Sequence, residues 1–473
     1  MDRRTYLKYL ASLSCFSFIN QVMPRNLFFP ELTKEQFGKG FKWGAASASY
    51  QSEGAWNIDG KSESIWDRFS HTKGRIKTGE NGDIASSFYT KYEEDISILK
   101  SLNLDIFRFS LSWSRILPEG SGKVNPKGID FYNRVIDKCL ENDIEPWVTL
   151  YHWDLPQIIE DKGGWASRDI VELFKEYAGI CAKNFGDRVK NWIVLNEPMA
   201  FTGLGYMLGI HAPGYKSLSR FFAAVHHAAL CQAEGGRVLR ELLPEAHLGT
   251  TFSCSQVEPF RDLKRDINAA ERMDALLNRL FVEPLLGMGY PMKSFPLLHR
   301  IEKFILDGDE KKLAFDYDFI GVQYYYRTVG KFALFPPAMW AKAIPAEDRK
   351  VPINTMKLEN YPEGMYAMLK KYGSYPGVKK LYVTESGVCC PDVLQDGIIN
   401  DTDRIKYYKD YLKQVLKAIQ GGIPVKGFIA WSLTDNFEWA EGFFPRFGLI
   451  YVDYQTQQRF IKNSGLWFKE FLK

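Results

Sequence analysis

The stretch VLNEP, Val194 to Pro198, runs like a buried β-strand until Asn196 and Glu197 replace its apolar residues with an amide and a carboxylate. Packing gives a core strand no reason to end on an acid, because a buried charge without a partner is costly. The pattern recurs in LYVTESG, Leu381 to Gly387, where Glu385 closes a second β-branched run. Whether the two glutamates meet depends on how the strands that carry them are arranged.

From about Phe37 onward, short β-rich runs alternate with longer helical patterns. FKWGAASAS (41–49), DIFRFSLSW (105–113), IEPWVTLYHW (144–153) and KNWIVLNEP (190–198) form a first set of four strands. HLGTTFSCS (247–255), YDFIGVQYY (317–325), KLYVTESG (380–387) and VKGFIAWSL (425–433) form a second. Between them, segments such as GIDFYNRVIDKCLEND and RDIVELFKEYAGICAKNFGD repeat apolar residues every three or four positions, as amphipathic helices do. Eight strand-helix units predict an α/β fold, a single (β/α)8 TIM barrel with long loops at the C-terminal face of the strands. No linker breaks the series, so residues 31–473 read as one domain.

In such a barrel, the ends of different strands converge on one site. Glu197 closes strand four and Glu385 strand seven. Gln51 follows strand one, Arg108 lies in strand two, His152 ends strand three, Tyr325 strand six and Trp431 strand eight. Any one of these has a structural explanation alone, but polar and aromatic groups on nearly every strand end do not follow from packing.

The 473 residues are 45% apolar and 25% charged, and 61 basic against 57 acidic residues leave a net charge of only +4 without blocks of one sign. That excludes a nucleic-acid footprint and favours a neutral small-molecule partner. Aromatic residues reach 15%, and sugar sites use aromatic faces as platforms under pyranose rings. The seven cysteines, Cys15, Cys139, Cys181, Cys231, Cys254, Cys389 and Cys390, form no C-x-x-C pair, so neither a zinc site nor a disulfide framework is expected. Residues 1–30 read as a leader: Arg3 and Arg4 precede about a dozen mostly apolar residues, and RRTYLK resembles a twin-arginine export signal. No small-x-small cleavage site precedes Pro24, and a short amphipathic leader helix fits equally. A functional leader implies a periplasmic or otherwise exported protein, and its failure a cytoplasmic one. No later apolar run is long enough to span a membrane.

Two carboxyl groups flanking an acetal carbon hydrolyse a glycoside when one gives a proton to the leaving oxygen and the other meets the anomeric carbon. The two must differ in protonation. An apolar setting and a neighbouring carboxylate would keep Glu197 protonated, and Arg108, if it reaches Glu385, would keep that group ionised.

The motifs FKWGAASASYQSEGA, FRFSLSWSRI, YHWDLP, LNEP, TESG and WSLTDNFEWAEGFFPRFGL, in this order, resemble glycoside hydrolase family 1, the β-glucosidase family, from about Phe37 to the C-terminus. The resemblance implies a retaining mechanism without metal or cofactor, Glu197 as acid/base and Glu385 as nucleophile. It implies Gln51, His152, Asn196, Glu438 and Trp439 around the sugar hydroxyls, Trp431 beneath the ring, and Arg108 and Tyr325 beside the nucleophile. Glu438 would repel a 6-phosphate, so unphosphorylated β-glycosides or oligosaccharides are the expected partners. The chain departs from the family at Ser386, where asparagine is usual, at Gln323, where many members have asparagine, and at Lys357 and Leu358, where a Gly-Trp pair commonly forms one wall of the leaving-group site. A catalytically impaired sugar-binding homologue and a transglycosidase are the rival readings.

Overall fold

The computed structural model of the protein describes residues 32–335 and 339–473. The leader reading of residues 1–30 lies outside them. Eight parallel strands close a barrel in chain order: β1 (Lys42–Ala46), β2 (Ile106–Ser110), β3 (Glu145–Tyr151), β4 (Asn191–Asn196), β5 (His247–Cys254), β6 (Phe319–Tyr324), β7 (Leu381–Ser386) and β8 (Val425–Trp431). All eight expected strands are present, trimmed by up to three residues at an end. Most of the trimming is C-terminal, where residues such as Ser112 and His152 turn into loops instead of continuing the ladder.

One principal helix follows each strand: α1 (Phe88–Ser101), α2 (Pro126–Glu141), α3 (Ile170–Phe185), α4 (Leu218–Leu242), α5 (Lys264–Asp274), α6 (Glu363–Gly373), α7 (Thr402–Gln420) and α8 (Asn463–Phe471). Helix α2 shows why. Proline at its first turn presets the helical φ, and Ile129, Tyr132, Val135, Ile136 and Cys139 lie on one buried face. The same logic places α3, which buries Phe174, Tyr177, Ala178 and Cys181.

The barrel interior is filled low down by large side chains from several strands. Trp147 packs its ring 4.9 Å from Tyr382 and 5.3 Å from Phe319, and Ile106, Ile193 and Ile429 join the cluster. This apolar plug shuts the N-terminal end, so polar groups on the strands can converge only at the opposite mouth.

A buried charge network braces two of the mouth's loops. Lys462, ahead of α8, donates to Asp435 at 2.6 Å and to Asp392 at 2.5 Å. Arg404 on α7 binds Asp392 at 2.8 Å and also Asp401, and Arg446 binds Asp435 at 2.5 Å. Three cations meet three carboxylates, so the network is neutral. It joins the loop after β7 to the loop after β8. Lys462→Met is expected to cost about 3–5 kcal/mol by leaving two buried carboxylates without their ammonium. Denaturant unfolding checks this, and a loss below about 1 kcal/mol would show that the lysine is dispensable.

Candidate active site

Arg108 is the hub. Its side chain points inward from β2, almost fully buried, and its guanidinium donates to Glu385 Oε1 at 2.5 Å, Asn196 Oδ1 at 2.6 Å, the Thr384 carbonyl at 3.0 Å and Thr149 Oγ1 at 3.2 Å. Glu385 takes a second donor, the Tyr325 hydroxyl, at 2.9 Å on Oε2. β7 and β8 approach closely just beyond the acid: a Cβ on Gly387 would sit 1.9 Å from the Trp431 carbonyl, which accounts for glycine at that position.

Glu197 is built differently. It follows β4 with φ 48° and ψ 64°, a left-handed conformation that turns the chain into the short helix Pro198–Thr202. Its backbone N–H donates to the Thr251 carbonyl at 3.0 Å, but among the described residues its carboxyl makes no hydrogen bond. Burial, the charge of Glu385 and, more weakly, that of Glu438 push its pKa well above the ordinary carboxylate range, with Arg108 opposing. Burial also raises Glu385, but Arg108, Tyr325 and Gln323 all pull it back. Two carboxylates facing one cavity do not ionise together, so the proton that remains belongs on Glu197 and the charge on Glu385.

The other expected residues join the same cluster. Asn196 Nδ2 lies 3.1 Å from His152 Nε2, and the His152 ring stacks 5.7 Å from Trp431 and 5.9 Å from Trp439. Gln51 donates to the Phe437 carbonyl at 2.9 Å, Asn436 Oδ1 at 3.1 Å and Glu438 Oε2 at 3.5 Å, which ties the turn after β1 to the loop after β8. Burial and the nearby Glu385 push Glu438 up to about 8. Glu197, Glu385, Gln51, Arg108, His152, Asn196, Tyr325, Trp431, Glu438 and Trp439 are thus joined in one connected cluster of hydrogen bonds, ring contacts and charge interactions.

Two contributors were not singled out by sequence reasoning. Trp153 packs its ring 4.5 Å from Trp439 and donates from Nε1 to the Asn196 carbonyl at 2.9 Å. It stands beside His152 in YHWDLP, so the motif itself was the available signal. Thr149 anchors Arg108 and carries no signal of its own. Among the departures from the family pattern, Ser386 is fully buried and bonds the Tyr324 carbonyl at 3.2 Å and the Tyr407 hydroxyl at 2.9 Å. Lys357 adopts φ 63°, the region that favours glycine, while Met356 packs against the cluster holding Trp431 and Tyr325. Trp340 is half exposed, its carbonyl accepting from Arg272 at 2.7 Å. Cys389 and Cys390 are buried free thiols, both pushed up by burial. Among the described residues, no group of three or more His, Cys, Asp or Glu is arranged to hold a metal ion, and no helix is long and apolar enough to cross a membrane.

Comparison with known proteins points the same way as this geometry. The family model described as glycosyl hydrolase family 1 matches residues 33–473. Beta-glucosidase A of Thermotoga maritima is 43% identical over 441 residues, spanning 93% of this chain and 98% of that protein. Beta-glucosidase A of Acetivibrio thermocellus is 42% identical over 447 residues, spanning 93% and 99%. The solved family 1 β-glucosidase from Thermotoga maritima superposes with a TM-score of 0.88 at 43% identity, covering 91% of this chain and 97% of that one. The β-glucosidase from the same organism in complex with deoxynojirimycin gives a TM-score of 0.88 at 42% identity, covering 94% and 98%. With the barrel, the paired glutamates and nearly full-length matches in hand, the chain belongs to glycosyl hydrolase family 1 and is an O-glycosyl hydrolase.

Proposed function

We propose that this protein is a retaining β-glucosidase in which Glu385 is the nucleophile and Glu197 the acid/base. The observation that carries the assignment is the asymmetry of the pair: Glu385 is held by Arg108 and Tyr325, whereas the Glu197 carboxyl has no hydrogen bond among the described residues. A carboxylate fixed by two donors is oriented and ionised, as attack on an anomeric carbon requires. A carboxyl that is buried, lifted and unbound keeps its proton near neutral pH and is free to pass it to a leaving oxygen.

In the first step, Glu385 forms a bond to the anomeric carbon as the glycosidic C–O bond breaks, and the Glu197 proton goes to the departing oxygen. In the second, Glu197, now ionised, takes a proton from water as that water attacks the same carbon and releases Glu385. Two inversions give net retention. Asn196 hydrogen-bonds the 2-hydroxyl, a contact that strengthens as positive charge builds at the anomeric carbon. Trp431 lies beneath the sugar ring, and Gln51, His152, Glu438 and Trp439 receive the remaining hydroxyls. The names of the relatives support glucose as the sugar.

The test is turnover of p-nitrophenyl β-glucoside beside the β-galactoside, β-fucoside and 6-phospho-β-glucoside, with the product anomer followed by NMR. The expected result is fastest hydrolysis of the β-glucoside, β-glucose appearing first, and no turnover of the phosphosugar. An α-anomer as first product would overturn retention, and silence on all four from folded protein would overturn the catalytic reading.

A further inference from the structure

Gln323 stands at the inner end of β6, fully buried, in the position where many relatives by resemblance carry a shorter amide. Its Nε2 donates to Asn196 Oδ1 at 2.9 Å, the same oxygen that receives Arg108 Nη2 at 2.6 Å, and the same side chain also hydrogen-bonds the Glu385 carboxylate. A guanidinium and an amide nitrogen only donate, so the oxygen edge of the Asn196 amide must face them. Its nitrogen edge is then turned the other way, 3.1 Å from His152 Nε2. That nitrogen can only donate in its turn, so Nε2 accepts. Burial and the charge of Arg108 keep the His152 ring neutral, and its one proton therefore lies on Nδ1. A second N–H of Asn196 also remains uncommitted.

Arg108 alone would set the amide's direction, but it is shared among Glu385, Asn196, Thr384 and Thr149. A second donor pins the amide plane. Gln323 Oε1 supplies an independent sign of this role, because it is buried with no hydrogen-bond partner. Folding alone does not favour an orientation that leaves a buried carbonyl unsatisfied. The cost is understandable if the nitrogen is required where it stands.

The geometry points to Gln323 as a positioning residue that, with Arg108, sets the polarity of a relay through Asn196 and His152, so that both present N–H donors to the sugar's hydroxyls. This rests on the proposed Asn196 contact with the 2-hydroxyl. Without the Gln323 donor, the amide plane can tilt or flip and the 2-hydroxyl loses its aligned partner, while contacts elsewhere on the sugar persist.

The experiment compares kcat/KM for an aryl β-glucoside and its 2-deoxy counterpart in the wild type, Gln323→Leu, Gln323→Asn, Asn196→Ala and the Gln323→Leu/Asn196→Ala double variant. The preference for the glucoside is expected to fall about tenfold in Gln323→Leu, the scale of one buried hydrogen bond, and the second substitution should add little to Asn196→Ala. Gln323→Asn, which keeps an amide and a similar fold, should retain part of the preference. Equal losses on both substrates, or an unchanged preference in both Gln323 variants, would overturn the positioning role while leaving the glycosidase reading intact. A wild type that turns over glucoside and 2-deoxyglucoside alike would overturn the Asn196 contact and the relay with it.

Discussion

Glu385→Ala is expected to abolish the glycosyl-enzyme and to lower kcat on an activated aryl β-glucoside on the order of 10⁵-fold. The size follows from what the side chain does. It lies at the end of β7, held by the Arg108 guanidinium at 2.5 Å and the Tyr325 hydroxyl at 2.9 Å. Truncation removes the attacking oxygen and leaves a cationic recess facing the anomeric carbon. Azide fits that recess by charge and size. Added azide should restore turnover and yield an α-glucosyl azide, because the anion attacks once from the face the carboxylate left. Turnover undiminished by the substitution, or a β-azide product, would remove Glu385 from the role.

Glu197→Gln is the second large effect, and it depends on the leaving group. A glutamine cannot give a proton, so alkyl glycosides and cellobiose should lose on the order of 10³-fold in kcat/KM, while aryl glycosides that leave without protonation lose far less in glycosylation. The pH profile carries the same information. In the proposed mechanism activity requires protonated Glu197 and ionised Glu385, so it is expected to fall as pH drops through the Glu385 titration and to fall again as pH rises through the raised Glu197 value. The variant should lose the Glu197 part of the alkaline limb, and any descent left near pH 8 belongs to Glu438. Equal losses on activated and unactivated substrates would count against Glu197 as the acid.

The barrel was legible because the strands are short β-rich runs and the helices between them repeat apolar residues every three or four positions, so the two patterns rarely compete for one assignment. The site was legible for a related reason: Asn196, Glu197 and Glu385 interrupt runs that packing would have kept apolar. What the sequence did not reveal is hydrogen-bond direction. Gln323 was readable only as an unusual amide, and nothing in the letters shows that its nitrogen reaches Asn196 while its oxygen goes unpaired. Trp153 was hidden by its own neighbours, since a tryptophan after a strand usually signals packing. Lys357 could be read as a replaced glycine, but only its φ of 63° shows that the backbone still holds the conformation glycine would favour.

The backbone of Glu197 has a bearing on descent. A left-handed φ of 48° costs a glutamate about 1–2 kcal/mol relative to glycine, and desolvating an unpartnered carboxyl adds to that. By stability alone, almost any drift at residue 197 runs downhill toward glycine or asparagine, which accept that conformation and bury less. A lineage released from the need to turn over substrate would therefore shed this acid early. An acid at this strained and buried position is what the proposed role of Glu197 requires, and folding by itself does not ask for it.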